Sequence, residues 1–143
     1  MAAVREIVKT RPVPDEGPGR LLKTAMMENS LVSGISGLVL VAGASGLDTW
    51  LGVNVWVLVG AGVGLIAFGA VLIWWSRSSK WLRLGGRIAV VGDTAWVVGA
   101  VLLIAFTDVL TGSGEVALAG VTVIVAGFAT AQWIGLRRLD EAG

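Results

Sequence analysis

Asp93 is the residue of this chain best suited to chemistry, because it is the one acid that falls well inside a long apolar stretch. It lies six residues beyond Arg87, about 9 Å along a helix at a rise of about 1.5 Å per residue. An acid at the centre of a membrane helix costs about 2.5–3.5 kcal/mol to insert, and less near the interface. Such a group needs hydrogen-bond partners, water, a cation or a proton. Gln132 stands five residues before Arg137 and falls at similar depth on another helix. Asn29, Ser30 and Ser33 open an earlier apolar stretch on the same side, and Thr94 and Thr130 add hydroxyls. Asn29, Ser33, Asp93 and Gln132 therefore make up the candidate site. Its functional reading is a site for a proton, a cation or a small polar ligand. Its plainer reading is a clamp of interhelical hydrogen bonds, each worth under about 2 kcal/mol.

The residues that are missing narrow the chemistry further. The chain has no cysteine, histidine or tyrosine. Disulfides, thiol nucleophiles, iron–sulfur ligation and a Ser–His–Asp triad are thereby excluded, and an ordinary zinc site lacks its ligands. No two acids fall on one helix face at matching depth, which argues against a paired-carboxylate hydrolase. The run Gly60-Ala61-Gly62-Val63-Gly64 has a phosphate-loop look, but it sits inside an apolar span with no preceding strand and no lysine. No metal, cofactor or catalytic residue is expected.

The elements that carry these residues follow from hydropathy. Of the 143 residues, 55% are hydrophobic and 15% are charged, and mean hydropathy is +0.83. A bilayer core of roughly 30 Å needs about 20 apolar residues in helical form. The pattern predicts an all-α membrane protein with four transmembrane helices, at about 29–47, 53–75, 86–106 and 116–136. A soluble four-helix bundle would show a charged face on each helix, and these segments have almost none.

All eleven Lys and Arg residues lie in the first 23 residues, at 77–87, or at 137–138. The connections near 48–53 and 107–115 contain acids and no base. The positive-inside rule then puts both termini and the 76–86 loop in the cytoplasm. Trp50 and Trp56 fit an outer aromatic belt, and Trp74, Trp75, Trp81 and Trp133 an inner one. The first 27 residues are polar, carry Pro12, Pro14 and Pro18, and contain no apolar signal-peptide core. They predict a partly disordered cytoplasmic tail whose segment from Arg20 to Met27 forms a short interfacial helix. Residues 28–137 are the bundle and 138–143 a short cytoplasmic end.

A shift of 60 positions pairs Asp48 with Asp108, Gly52 with Gly112, Gly60 with Gly120, Phe68 with Phe128 and Arg77 with Arg137. For the first helix of each half the shift is nearer 64, pairing Asn29-Ser30 with Asp93-Thr94. The halves read as two helical hairpins in parallel repeat, since each runs in–out–in. Lipid supplies little hydrophobic force between helices, so small residues are expected at their contacts. The candidates are Gly34 and Gly37 in the first span, Gly60 and Gly64 in the second, Gly92 and Gly99 in the third, and Gly120 and Gly127 in the fourth. Gly60 and Gly64 also form a GxxxG pair suited to self-association.

In size and span number the chain resembles the small multidrug-resistance exporters, but in architecture alone. Those carry a glutamate within the first span, which here has no central acid. The first expectation is a non-enzymatic accessory, assembly or regulatory membrane subunit, working with a partner membrane protein or as a homo-oligomer. The second is an oligomeric small transporter or channel subunit with Asp93 as proton or cation site. The third is an integral-membrane enzyme acting on a lipid or isoprenoid. The bilayer and anionic headgroups at the cytoplasmic face are the expected surroundings, and no basic run interleaved with aromatics suggests nucleic acid. Gly-, Ala-, Val- and Arg-rich, Lys-poor usage points to a GC-rich genome, and the expected location is the cytoplasmic membrane of a prokaryote.

Overall fold

A computed structural model describes residues 17–143, and the expectations for Arg5, Lys9, Arg11, Pro12 and Pro14 lie outside them. The described chain is all-helical. Its four helices are α1 (Arg20–Leu51), α2 (Val55–Arg77), α3 (Leu82–Phe106) and α4 (Gly112–Glu141). Each is long and apolar enough to cross a membrane. Large apolar side chains such as Ile35, Leu38, Val91, Val116 and Val123 point outward, where a soluble fold would hide them.

The helices run past the apolar windows that announced them. Nothing between Arg20 and Asn29 breaks a helix, so the expected short interfacial helix is instead the opening of α1. This opening is also among the best-buried parts of the molecule: Leu22 and Met26 are fully enclosed. They form the core with Leu72, Leu82, Ala89 and Leu136, against which Phe68, Trp75 and Leu139 pack. The start of α1, the α2–α3 turn and the end of α4 therefore meet at one end of the bundle. Arg83 and Arg87 bridge to Asp140 there, at 3.5 and 3.6 Å.

The opposite end is pinned by backbone chemistry. Gly52 caps α1 in the left-handed region (φ 75°) and returns its N–H to the Asp48 carbonyl. Asn54 caps α2 by accepting from the Trp56 N–H, and Thr111 caps α4 by accepting from the Gly114 N–H. Thr111 also joins the two hairpins: its N–H donates to the Leu51 carbonyl and its hydroxyl to the Trp50 carbonyl. Packing is uneven around the bundle. The α1–α2 and α3–α4 hairpins are closely packed, α1 also lies along α4, and α2 and α3 touch sparingly.

Close helix contact rests on fewer of the expected glycines than their spacing suggested. Gly37 and Gly62 face each other: a Cβ on Gly37 would lie 2.5 Å from the Gly62 carbonyl oxygen, and one on Gly62 2.7 Å from that of Gly37. Gly69 meets the Ser30 carbonyl, Gly85 meets Trp75, and Gly86 and Gly135 take Leu22 from two sides. By contrast, among the described residues a Cβ on Gly34, Gly60, Gly64, Gly99, Gly120 or Gly127 meets nothing within 4 Å, and one on Gly92 only Phe68 at 3.9 Å. Regular spacing identifies a stripe of small residues, but rotation of the helix decides which stripe is used.

Candidate functional site

Three of the four site residues are joined by hydrogen bonds. The Asn29 Nδ2 amide, on α1, donates to Asp93 Oδ2, on α3, at 2.7 Å. Ser33, one turn along α1, donates its hydroxyl to Asn29 Oδ1 at 3.1 Å. Ser33 thereby fixes which way the Asn29 amide faces, leaving its N–H groups toward the carboxylate. Each of these side chains is buried. The link crosses the bundle between two helices that otherwise touch little.

Gln132, on α4, faces the same carboxyl. Its side chain is fully enclosed and lies within reach of that carboxyl, but among the described residues neither Oε1 nor Nε2 makes a hydrogen bond of good geometry. The other hydroxyls named from sequence do not join. Ser30 turns back to the Met27 carbonyl and Thr130 to that of Ala126, while Thr94 is exposed.

Asp93 is 4% exposed and forms no salt bridge among the described residues. The nearest basic side chains along its helix, Arg83 and Arg87, are engaged with Asp140. Asn29, Ser33 and Asp93 form the polar end of a half-open cavity of about 320 Å³ to which all four helices contribute. Its walls are apolar: Leu65 and Phe68 from α2, Trp96 from α3, and Val121 and Val125 from α4. Among the described residues no basic side chain lines it.

Sequence reasoning located the polar end and missed the walls. Trp96 stands three residues after Asp93, one turn along the same face, and Ser36 stands three after Ser33. Those spacings were the available signal for the α1 and α3 walls. The contributions of α2 and α4 depend on helix rotation and carried no signal of their own. Comparison with protein-family models, curated proteins and solved structures finds no match.

Proposed function

We propose that this small multi-pass membrane protein binds a proton or a cation at Asp93 and works as a transporter or channel subunit. One observation carries the reading: a buried carboxylate with no basic partner among the described residues opens onto a cavity inside the bundle. A purely mechanical clamp favours complete pairing, because a half-satisfied buried network is worse than an apolar core. Here the clamp from Asn29 to Asp93 is made, while Gln132 beside it makes no hydrogen bond of good geometry among the described residues.

In this reading the basic end of the bundle faces the cytoplasm of a prokaryotic cell, with both termini and the 76–86 loop inside. The hairpins are parallel repeats, a view supported by Asn29 and Asp93, which correspond under the 64-residue shift and bond to each other. Reconstitution into proteoliposomes tests the assignment. Proton or monovalent-cation flux that disappears in Asp93→Asn, in a variant that still folds, is the expected result. Flux equal to that of protein-free vesicles, with Asp93→Asn altering only thermal stability, refutes it.

A second reading, the accessory or assembly subunit, is favoured by the open glycine faces. Gly60 and Gly64 on α2, and Gly120 and Gly127 on α4, have room for another helix at close approach. Retention of a partner chain in gentle detergent, lost when Gly60 and Gly64 are enlarged, would support it.

A further inference from the structure

We propose that the recess between the start of α1 and the end of α4 binds one anionic phospholipid, whose phosphate lies between Arg20 and Arg138 and whose chains run along the apolar faces beneath them. The proposal is independent of Asp93. The recess, of about 460 Å³, is lined by Arg20, Leu21 and Thr24 of α1, by Arg138 of α4, and by Gly17 and Pro18. Two basic residues from different helices thus share one opening, and among the described residues no acid lines it. A guanidinium is a flat fork of N–H donors that matches two phosphate oxygens, and Thr24 adds a hydroxyl. Basic recesses between membrane helices suit lipid phosphates for this reason.

Several cations at this end of the bundle are already engaged. Arg83 and Arg87 bridge to Asp140. Lys80 lies 5.2 Å from the centre of the Trp81 ring, and Arg137 lies 5.0 Å from that of Trp133. Arg20 and Arg138 enter neither kind of contact among the described residues, and both are exposed. Their charge faces the recess without a counterion from the described bundle, which is the condition an outside anion answers.

The surface below the arginines selects a lipid over a free phosphate. With about 3.6 residues per turn, steps of about two, three and five turns return to one face of a helix. From Arg20 those steps reach Met27, Leu31 and Leu38, all exposed. Back from Arg138 along α4 they reach Ala131, Gly127 and Gly120, flanked by the exposed Ile134 and Ile124. A Cβ on Gly127 or Gly120 meets no other described residue within 4 Å, so this face of α4 is a shallow trough. Because α1 lies along α4, the two apolar strips descend from the same recess. A phospholipid carries its charge and its chains in that order.

The test uses the full chain in nanodiscs containing equal amounts of phosphatidylglycerol and phosphatidylcholine with identical chains. Native mass spectrometry counts the lipids retained on release, and Trp fluorescence on heating confirms that each variant folds. A basic residue near a membrane surface contributes about fivefold in affinity for anionic lipid. The expected result is one phosphatidylglycerol kept over phosphatidylcholine by about 25-fold. Arg20→Gln and Arg138→Gln should each cut that preference about fivefold and together abolish it. Arg77→Gln, at an exposed arginine outside the recess, and Asp93→Asn should leave it unchanged. Gly127→Leu, which fills the trough without changing charge, should weaken retention. Equal losses in Arg77→Gln and Arg20→Gln would mean diffuse surface charge and overturn the site. Displacement of the lipid by millimolar inorganic phosphate would overturn a lipid as the ligand, and retention untouched by Gly127→Leu would overturn the placement of its chains. A preference absent from the wild type but present in the double variant Asp15→Asn, Glu16→Gln would assign the arginines to this chain's own acids and overturn the proposal.

Discussion

Gly62→Ala and Gly64→Ala are two residues apart on one helix and are expected to move stability in opposite directions. A Cβ on Gly62 would lie 2.7 Å from both the Gly37 carbonyl oxygen and Val41 Cγ2, and 3.1 Å from Leu40 Cβ, where ordinary contact begins at 3.4 Å. The first of these atoms is backbone and cannot swing aside, so α1 and α2 must part by several tenths of an ångström. Overpacking of that kind costs about 1–3 kcal/mol. The better helix propensity of alanine returns up to about 1 kcal/mol, leaving a net loss of about 1 kcal/mol at the middle of that range. At Gly64 no other described residue lies within 4 Å of the Cβ position, so only the propensity gain remains. The two variants should therefore differ by about 2 kcal/mol. Equilibrium unfolding in mixed micelles, followed by Trp fluorescence, measures the gap, and light scattering in mild detergent monitors association. Gly64→Ala as damaging as Gly62→Ala in a monomeric sample would refute the helix rotations on which the cavity depends. A loss of association alone would instead identify the Gly60–Gly64 face as a contact between copies.

Gln132→Met removes two unpartnered buried polar atoms at nearly constant volume and should stabilise the fold by about 1 kcal/mol in the same unfolding assay. Thr111→Val deletes the hydroxyl that joins Trp50 and Gly114, and should lower stability by about 1 kcal/mol and speed amide exchange at Gly114. Asp140→Asn breaks both bridges to Arg83 and Arg87 at an exposed site, so the change should stay below about 1 kcal/mol and shrink as salt is added. Because the chain has no native cysteine, single substitutions report sidedness without background. In bacterial spheroplasts an impermeant maleimide should label Ser113→Cys directly and Ser79→Cys only after permeabilisation; the reverse pattern would overturn the proposed orientation.

Four helices were legible because lipid-facing residues must be apolar all round, a signal that needs no partner to interpret. The polar site was legible for the complementary reason. Asp93 and Gln132 are conspicuous in apolar surroundings, and separations of six and five residues from Arg87 and Arg137 place them at similar depth. Helix ends were less legible, since hydropathy marks where apolar residues stop and not where hydrogen bonding stops. Arg20 to Met27 is polar enough to end a hydropathy window and regular enough to continue the helix. Glycine usage was the least legible. Gly60 and Gly62 are equivalent by composition, and only the rotation of α2 makes Gly62 the one that meets Gly37.

The length of α1 has a thermodynamic consequence. Its 32 residues span about 48 Å, against roughly 30 Å of hydrocarbon. With Arg20, Lys23, Arg83, Arg87 and Arg138 around it, the excess falls largely at the end where Leu22 and Met26 are enclosed. Apolar burial there removes surface from water, so it carries the large heat-capacity change of the hydrophobic effect and weakens with cooling and with urea. The lipid-embedded middle has no such water-driven term and is held by dispersion and close fit. Urea should thus loosen the basic end at concentrations that leave the spans intact, and altering bilayer thickness should strain the spans while leaving that end packed. One molecule carries two cores that answer to different solvents.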